Sequence, residues 1–432
     1  MTAIATSAPQ VGDVLELTVG EVVHGGWCVS RQDDTGLVVF VRHALPGERV
    51  RARVTQATAR LARAEAIDIQ HASADRVAAP CRYARPAGCG GCDWQHASLE
   101  AQRRLKALVI RQQLNRIAGI DVDVTVDAVP GDEAGLGWRT VVSFAVTSGG
   151  LAGLRRHRSH EVVAIDRCLI AHDEITAAGV TAASWPGAHS VEIAIEPDSG
   201  ERGVVVAASG AGLPVLPDIA ADSVQISARR GARTPVRGRG YVTRRAAGRD
   251  WRVSLGGFWQ VHPGAADVLG QAVLAALDPR PGEVALDLYC GAGLFAGLLA
   301  EAVGPEGAVL AVEQDPAAAR DARHNLRPWP RARVHRGDAA AVLARTGLSD
   351  ASIAVLDPPR TGAAGPVIDA LCRAPAGLRR LAYVSCDPAT LARDLRRLLD
   401  GGWQLTGLRG YDAFPMTHHV ECLAVLARTA SR

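Results

Sequence analysis

A cysteine near the end of the chain has the sequence context of a nucleophile. The apolar run LAYV at 381–384 predicts a buried strand, and the turn SCDP that follows it carries Cys386. Ligands bind and react at the carboxyl ends of strands in doubly wound α/β sheets, so a thiol there could attack a substrate. The alternative is a buried structural cysteine, because free cysteines are among the most buried residues.

A second strand and turn, farther upstream, has the pattern of a cofactor site. The run VALDLYCGAGLF ends on two closely spaced glycines, beginning with Gly291, which let the backbone approach a ligand at a helix amino terminus. Acids end the next three predicted strands: Glu313 is placed to accept ribose hydroxyls, Asp338 to receive an exocyclic amino group, and Asp357 opens a DPP loop. This ordered set matches S-adenosylmethionine better than a dinucleotide, which favours GxGxxG.

A thiol beside a methyl donor suggests methylation of an unreactive carbon. C5 of uracil becomes nucleophilic only after a thiolate adds at C6, and a base must then remove the C5 proton. Cys386 would supply the thiolate, and Glu421 in the closing segment DAFPMTHHVECLAVL would supply the base from a neighbouring strand. A surface glutamate is the alternative for Glu421. Cytosine-5 and amino-group methylation are disfavoured, because the DPP loop continues with Arg360 and has neither a Pro-Cys pair nor an aromatic residue.

Length and composition predict a soluble, cytoplasmic protein of several domains. The 432 residues suffice for two or three domains and contain no run of about 18 apolar residues that could span a bilayer. The amino terminus does not resemble a signal peptide. Nine cysteines, an odd number, argue against a disulfide framework. We expect neither membrane association nor an obligate protein partner.

The order of apolar runs predicts an α/β fold in three parts behind a disordered tail at 1–10. Residues 11–70 show short β-rich runs and glycine turns that predict a small antiparallel barrel. The order of its parts resembles a TRAM domain, an OB-like barrel of RNA-modifying enzymes, and a generic small β-barrel is the alternative. Residues 71–250 predict a mixed, mainly antiparallel central domain. Residues 251–432 alternate helices and strands as a parallel, Rossmann-like methyltransferase sheet requires.

Four motifs make the sequence resemble the RNA uracil-5-methyltransferase family, whose members form 5-methyluridine in tRNA or 23S rRNA. The motifs are GGFWQVHPGA at 256–265, LDLYCGAGLF at 286–295, YVSCDP at 383–388 and DAFPMTHHVE at 412–421. The resemblance implies that Gln260 contacts the cofactor and that Tyr289 holds the aromatic position of the cofactor loop. It also implies that Cys386 is the nucleophile and Glu421 the base.

Three residues depart from the usual pattern of the family. His262 and Leu294 stand where Asn is common, and Asp387 replaces the Asn of the SCNP motif. A negative charge next to a thiol opposes thiolate formation, so Asp387 bears on how Cys386 is activated.

Four upstream cysteines form a candidate metal-binding set. Cys81, Cys89 and Cys92 lie in CRYARPAGCGGC, and Cys168 follows in IDRCLI. Sets of soft thiolates select zinc or an iron-sulfur cluster, and the spacing alone does not decide between them. The family resemblance implies a [4Fe-4S] cluster of structural role in the central domain, and zinc is the alternative.

Positive charge comes almost entirely from arginine. The net charge is only +3, and Lys106 is the sole lysine. Guanidinium groups suit phosphate and base recognition, so clustered arginines could bind the RNA backbone, although a solvated face is an equal alternative. The clusters are Arg155, Arg156 and Arg158, and then Arg229, Arg230, Arg233, Arg237, Arg239, Arg244 and Arg245.

Together these patterns predict an enzyme that methylates C5 of a uridine in folded RNA. The barrel and the cysteine set resemble the enzymes that act on 23S rRNA, and a uridine of the tRNA T-loop is the alternative. A non-catalytic RNA-binding or RNA-folding protein is the alternative of another class, and it would bind RNA without Cys386.

Overall fold

The structure of the protein is a computed structural model that describes residues 9–31, 36–210, 212–228 and 233–428. Most of the tail predicted at 1–10, and Arg229 and Arg230 of the second arginine cluster, lie outside the described residues. The described strands form sheets of six, seven, two and eight strands.

The first sheet is formed by the amino-terminal part of the chain, in the order β1-β5-β6-β4-β3-β2. Its strands are β1 (Val14–Thr18), β2 (Val22–Val23), β3 (Trp27–Arg31), β4 (Val38–Arg42), β5 (Arg49–Ala57) and β6 (Leu61–His71). Side chains of β5 alternate, so that Val50, Ala52 and Val54 are buried between exposed arginines. One pair, β4 with β6, is parallel, where the sequence predicts an all-antiparallel barrel. The difference arises because β5 and β6 form a hairpin and β4 pairs with the free edge of β6.

Helix α1 (Leu99–Gln113) follows the cysteine-rich loop. Ser98 caps the helix, because its Oγ accepts a hydrogen bond from the Ala101 N–H at 3.2 Å. A π-helical turn, Leu114–Ala118, ends at Gly119, whose φ of 68° is left-handed. The helix contacts β7 (Val126–Ala128), a strand that belongs to the last sheet.

The seven-stranded sheet forms the central part of the molecule and is mainly antiparallel, as the sequence predicts. Its order is β10-β9-β8-β11-β12-β13-β14, and only β12 and β13 pair in parallel. Its strands are β8 (Val141–Val146), β9 (Ala152–Arg155), β10 (Val162–Ala164), β11 (Ala188–Ile195), β12 (Arg202–Ala208), β13 (Ser223–Ser227) and β14 (Arg233–Arg237). Helix α2 (Asp173–Ala177) packs on β11, and a ribbon of β15 (Tyr241–Ala246) and β16 (Arg249–Ser254) leads to the last sheet.

The eight-stranded sheet has the order β19-β18-β17-β20-β21-β23-β22-β7. Its further strands are β17 (Val284–Leu288), β18 (Ala308–Glu313), β19 (Ala332–Arg336), β20 (Ile353–Leu356), β21 (Arg380–Ser385), β22 (Trp403–Asp412) and β23 (Glu421–Arg428). The helices between them are α3 (Ala265–Leu277), α4 (Leu294–Val303), α5 (Pro316–Asn325), α6 (Ala339–Thr346), α7 (Gly365–Arg373) and α8 (Pro388–Asp400). Every residue of β20 is buried, as expected of a parallel strand covered on both faces.

The strand order creates a crevice at the centre of this sheet. β17 lies between β18 and β20. After β17 the chain adds β18 and β19 on one side of it, and then crosses to add β20 and β21 on the other side. Ligands of doubly wound sheets bind outside the carboxyl ends of the strands at such a switch point. The fold is therefore α/β with a Rossmann-like carboxy-terminal sheet, which confirms the predicted fold class.

The last sheet takes one strand from the span predicted as the central domain. β7 pairs in parallel with the end of β22, through Val126 and Gly410 among others. Periodicity does not predict β7, because its three residues are too few to show an alternating pattern. Of the helices in the described part of the chain, none has the length and apolar character needed to span a bilayer.

Candidate active site

The register of two antiparallel strands brings the predicted nucleophile beside the predicted base. Ser385, the last residue of β21, pairs with Cys422 of β23. Cys386 follows Ser385 and Glu421 precedes Cys422, so the two side chains stand at the same edge of the sheet. Glu421 is 4% exposed and Cys386 is partly buried. The arrangement places a thiol and a carboxyl group around one point, as addition to a base and proton removal require.

Burial favours the protonated forms of both groups. It raises the pKa of Cys386 to about 12, with further contributions from the carboxyl groups of Glu421 and Asp357. Burial also raises the pKa of Glu421 well above its ordinary value, and Asp357 adds to this effect. Among the described residues, no group hydrogen-bonds to Oε2 of Glu421. This buried oxygen is free to accept a hydrogen bond or a proton from a ligand.

Arg360 is a site residue to which the sequence reasoning gave no role. Its guanidinium charge lowers the pKa of Cys386 and that of Glu421, against the effect of burial. The DPP loop that carries it ends β20, which neighbours β21 in the sheet. Asp357 of the same loop lies beside the thiol and the base, and burial raises the pKa of Asp357. The position of the DPP motif at the end of an adjacent parallel strand was the available signal.

The predicted cofactor loop has the backbone of a ligand-binding turn. Tyr289, Gly291 and Gly293 have left-handed φ values of 71°, 54° and 93°. A non-glycine residue in this conformation costs about 1–3 kcal/mol, which is typical of functional loops. A Cβ added to Gly291 would meet nothing within 4 Å, so open space lies before the loop. Oη of Tyr289 accepts a hydrogen bond from the Ala364 N–H at 3.3 Å.

The predicted acids stand at the carboxyl ends of neighbouring strands. Glu313 ends β18 and accepts hydrogen bonds from the N–H groups of Gly291 at 2.8 Å and Asp315 at 2.7 Å, so it contacts the glycine loop directly. Asp338 is exposed and caps α6, accepting from the Ala341 N–H at 3.0 Å. Both acids therefore lie at the same end of the sheet as the glycine loop.

Gln260 and His262 lie in the loop between β16 and α3, and both are buried, at 7% and 1% exposure. Trp259, next to Gln260, packs in the same core cluster as Ala292 of the cofactor loop. His262 stacks on Trp138 with ring centroids 5.9 Å apart. The residue that replaces the usual Asn therefore fills a packed position behind the crevice.

Helix α1 holds the segment that leads to Glu421. Nζ of Lys106 donates hydrogen bonds to Oδ1 of Asp412 at 2.5 Å and to the Phe414 carbonyl at 2.9 Å. Oε1 of Gln102 accepts from the Met416 N–H at 2.7 Å. Burial lowers the pKa of Lys106, and Asp412 opposes the shift. The sole lysine thus anchors the closing motif from within the core.

The first sheet also contacts the residue that follows the nucleophile. In the turn between β2 and β3, Nε2 of His24 lies 3.1 Å from Oδ2 of Asp387. Oδ1 of Asp387 caps α8, accepting from the N–H groups of Ala389 and Thr390 at 3.0 and 2.9 Å. Burial alone would raise the pKa of Asp387, but hydrogen bonds from His24 and from these amides lower it to about 2. The carboxylate next to Cys386 is therefore engaged by the helix and by the first sheet.

The same turn packs closely on the closing motif. Gly26 has a φ of 78°, and a Cβ there would lie 2.9 Å from Cβ of His418 and 3.2 Å from Cβ of Asp93. Nδ1 of His418 lies 2.6 Å from Oδ2 of Asp93, which follows Cys92 in the sequence. Nε1 of Trp94 donates to the Gly26 carbonyl at 3.2 Å. Only glycine fits this junction of the first sheet, the cysteine-rich loop and the closing motif.

Four cysteines of the predicted metal set line one cavity of about 100 Å³. They are Cys81, Cys89, Cys92 and Cys168. Burial raises the pKa of Cys89 to about 11 and raises that of Cys92 and Cys168, and neighbouring thiols add to these shifts. Within the described residues, however, no three or more His, Cys, Asp or Glu side chains are arranged to hold a metal ion. The structure brings the thiols together without forming a closed ion site.

Most arginines of the second predicted cluster serve the central fold. Arg244 is 3% exposed and donates to the Ile195 carbonyl, so it belongs neither to an RNA-binding surface nor to a solvated face, the two alternatives for this cluster. Its side chain is buried against Ile195 and Glu196 of the central part of the molecule. Others bind nearby acceptors: Arg233 the Leu255 carbonyl, Arg237 the Ile219 carbonyl, Arg239 the Glu201 carboxylate, Arg245 the Asp250 carboxylate.

The fold and the site define an S-adenosylmethionine-dependent methyltransferase with an added β-rich amino-terminal sheet. A TRAM domain is matched by residues 9–67, and a family described as tRNA (Uracil-5-)-methyltransferase by residues 347–429. Two proteins named uncharacterized RNA methyltransferases, from Streptomyces avermitilis and Streptomyces coelicolor, are 49% and 48% identical. The alignments cover 97% of this chain and 99% and 94% of those proteins.

A solved structure shares the fold. It is the Pyrococcus abyssi tRNA (uracil-54, C5)-methyltransferase in complex with S-adenosyl-L-homocysteine, with a TM-score of 0.71, 22% identity and coverage of 96% of this chain and 100% of that one. The chain belongs to the RNA uracil-5-methyltransferase family. It is therefore an RNA methyltransferase, of a family that methylates uracil C5 with S-adenosylmethionine.

Proposed function

We propose that this enzyme methylates C5 of a uridine in 23S rRNA through a covalent adduct with Cys386. The observation that carries the proposal is the position of Cys386 beside Glu421, at the edge of the sheet that also bears the glycine loop. Sγ of Cys386 forms a bond to C6 of the uracil, and the electron pair moves through C5 to the O4 enolate. C5 then takes the methyl group that the sulfonium of S-adenosylmethionine would supply, leaving a thioether. Glu421 accepts the C5 proton, and the C5–H electron pair re-forms the C5–C6 double bond as the Sγ–C6 bond breaks and the thiolate leaves.

Activation of the thiol depends on the charges around it. Because the pKa of Cys386 is about 12 in the free protein, the thiol is protonated at neutral pH. Arg360 favours the ionised forms of Cys386 and Glu421, and the thiol proton passes to solvent, to which Cys386 is partly open, as the uracil arrives. Once ionised, the buried carboxylate of Glu421, with its raised pKa, is a stronger base than an exposed glutamate, as removal of a carbon-bound proton requires.

The uridine must leave its stack to reach this point. Cys386 is only partly exposed and lies at the end of a strand, so a base within an RNA helix cannot approach it. We propose that the target nucleotide is unpaired or flipped into the space between the DPP loop and the closing motif.

The proposed cofactor contacts surround the glycine loop. S-adenosylmethionine, when bound, supplies an electrophilic methyl group on a sulfonium. Three observations support the proposal: open space lies at Gly291, Glu313 contacts the glycine loop, and Asp338 follows the next strand at the same end of the sheet. In the proposed site Glu313 accepts the ribose hydroxyls and Asp338 binds the adenine. Gln260, Tyr289 and Asp357 complete the proposed site from neighbouring loops.

One experiment distinguishes between the two candidate RNA substrates. The four clustered thiols and the TRAM domain favour 23S rRNA, whereas the matched family description favours tRNA. Anaerobically purified protein is incubated with labelled S-adenosylmethionine and either unmodified 23S rRNA or tRNA transcripts, and the nucleosides are identified by mass spectrometry. 5-Methyluridine in rRNA alone supports the proposal, and its appearance in tRNA alone overturns the substrate. Absence from both overturns uridine methylation of these RNAs.

We also propose that Cys81, Cys89, Cys92 and Cys168 bind a [4Fe-4S] cluster. A single zinc ion would require the sulfurs about 2.3 Å from one point, whereas a cluster spreads its thiolates over four iron atoms, which suits thiols that share a cavity without forming an ion site. Iron and acid-labile sulfide analysis of anaerobic protein tests this, with Cys372→Ala as the control for Cys168→Ala. Stoichiometric zinc without sulfide would contradict it.

The domain division at 11–70, 71–250 and 251–432 remains a proposal as well. The first sheet and the seven-stranded sheet agree with it. Two strands do not: β7 joins the last sheet from within 71–250, and β16 runs across the boundary at 250.

A further inference from the structure

Three guanidinium groups converge on one indole ring at the junction of the first two sheets. Cζ of Arg42, Arg63 and Arg158 lies 5.9, 5.8 and 5.7 Å from the ring centroid of Trp27. These arginines come from β4, from β6 and from the tip of the β9–β10 hairpin, so distant parts of the chain build the cluster. Trp27 is only 6% exposed and forms its floor.

The cluster has more positive charge than its acids neutralise. Arg42 is buried and paired with Glu65 at 3.6 Å and Asp93 at 3.1 Å. Arg63 donates to the neutral amide of Gln56, and Arg158 is exposed. Over the described ranges, no carboxylate lies within ion-pair distance of Arg63 or Arg158. Two unpaired cations therefore flank one paired cation over the same ring.

Arg158 is held there at an electrostatic and conformational cost. Although the residue is exposed, partial desolvation of its guanidinium and the charges of Arg63 and Arg42 lower its pKa, and its φ of 51° is left-handed. The hairpin that carries it is fixed, since a Cβ on Gly90 would lie 2.3 Å from the His157 nitrogen and the Gly90 N–H donates to the Arg155 carbonyl at 2.9 Å. An anion between the two guanidinium groups would offset the repulsion.

We propose that Arg63 and Arg158 form a binding site for a backbone phosphate of the RNA strand that enters the active site. The guanidinium fork matches phosphate geometry, and RNA is the anion that this family acts on. The location fits a nucleotide close to the target, because Trp27 follows Gly26, which packs on His418 of the closing motif. His24, on the same turn, contacts Asp387 beside Cys386. This inference rests on the proposed function for its partner and adds the residues that bind it.

The salt dependence of RNA binding tests the site. A labelled oligouridylate is titrated by fluorescence anisotropy, because phosphate contacts do not depend on sequence. Each phosphate contact contributes about 0.7 to the slope of log K against log salt for a single strand. We expect Arg63→Ala and Arg158→Ala each to reduce the slope by ~0.7 and the double variant by ~1.4. Replacement of both arginines by lysine, which keeps the charge, should retain most of the slope.

Arg53→Ala is the matched control, because Arg53 is an exposed arginine of the same sheet on β5. It should leave the slope unchanged, and thermal unfolding should show that all variants are folded. A double alanine variant with the wild-type slope, or an equal loss in the control, overturns the site. Methylation is assayed separately on the transcripts: a wild type that forms no 5-methyluridine refutes the proposed function, while the salt slope still decides the role of the arginines.

Discussion

At the scale of single residues, Cys386 and Glu421 are coupled through the environment that both share. Burial and the carboxyl group of Glu421 raise the pKa of the Cys386 thiol, whereas burial and Asp357 raise the pKa of Glu421. The charge of Arg360 lowers both pKa values. Burial therefore favours the protonated forms of both groups, and the charge of Arg360 favours their ionised forms. Chemistry at this site should respond to changes in any of the three charges.

Glu421→Gln should trap the RNA on the enzyme. Without the carboxylate the C5 proton stays in place, so the Sγ–C6 bond cannot break after methyl transfer. We expect kcat to fall about 10²–10⁴-fold and an RNA adduct stable on denaturing gels to accumulate. Glu306→Gln, at a side chain that is 89% exposed, is the control. Turnover by the variant at the wild-type rate would exclude Glu421 as the base, and Cys386→Ala should form no adduct.

Arg360→Ala should make the thiol less reactive. Its guanidinium charge lowers the pKa of Cys386, so its removal raises that pKa further and reduces the thiolate fraction at any given pH. The rate of iodoacetamide modification of Cys386, followed by mass spectrometry across alkaline pH, should shift to higher pH. Arg336→Ala, at an exposed position ending β19, should leave the profile in place. An unchanged profile for Arg360→Ala would contradict the assignment.

The sequence predicts Cys386 and Glu421 as partners because their motifs end and begin strands whose pairing follows from the fold. It does not predict Arg360 or His24 beside them. Arg360 lies near the thiol because of the path of its loop, which contains two prolines before it. His24 contacts Asp387, which follows Cys386, because two sheets pack together, although the two residues are 363 positions apart in the chain. Such contacts depend on tertiary packing, which local periodicity does not predict.

At the scale of elements, the residue that caps α8, Asp387, makes two kinds of contact. Asp387 caps the helix and also contacts His24 of the first sheet. An Asn at this position would keep the cap and lose the charge. The departure from the SCNP pattern therefore ties the nucleophile loop to the first sheet, an effect that the sequence reasoning, which considered only the thiol, did not foresee.

Asp387→Ala should destabilise the protein by about 1 kcal/mol through loss of the cap, and Asp387→Asn by less. Because the pKa of Asp387 is depressed to about 2, its stabilising effect is present above the ordinary aspartate pKa and is lost as pH falls toward 2. Urea unfolding at neutral and acidic pH measures this. Asp315, which caps α5 by the same two contacts, is the control. Equal pH dependence for wild type and Asp387→Asn would contradict the role of the charge.

At the scale of the whole molecule, the parts are joined around the active site. Helix α1 holds the closing motif, the turn after β2 holds the nucleophile loop, and β7 extends the last sheet. The general plan of a β-rich amino-terminal sheet, an antiparallel centre and a parallel carboxy-terminal sheet is predictable from periodicity. The joints are not, because each depends on side-chain contacts between residues far apart in the chain or on a strand of three residues.

Lys106→Met should be among the most destabilising single changes. It leaves Asp412, 1% exposed, without its cation, and breaking such a pair costs about 3–5 kcal/mol. The double variant Lys106→Met/Asp412→Leu should recover much of the loss, which a double-mutant cycle of chemical unfolding measures. Arg111→Met, at an exposed ion pair on the same helix, should cost less than about 1 kcal/mol. An additive double variant would show that the pair is not coupled.

The burial of Lys106 has a practical consequence for labelling. The chain has no other lysine side chain, and this one is 1% exposed with its amine engaged by Asp412 and Phe414. Amine-reactive reagents can acylate Lys106 only when α1 separates from the closing motif. The acylation rate of one peptide, read by mass spectrometry in the native protein, would therefore report how often the active site comes apart, and RNA or cofactor binding should slow it.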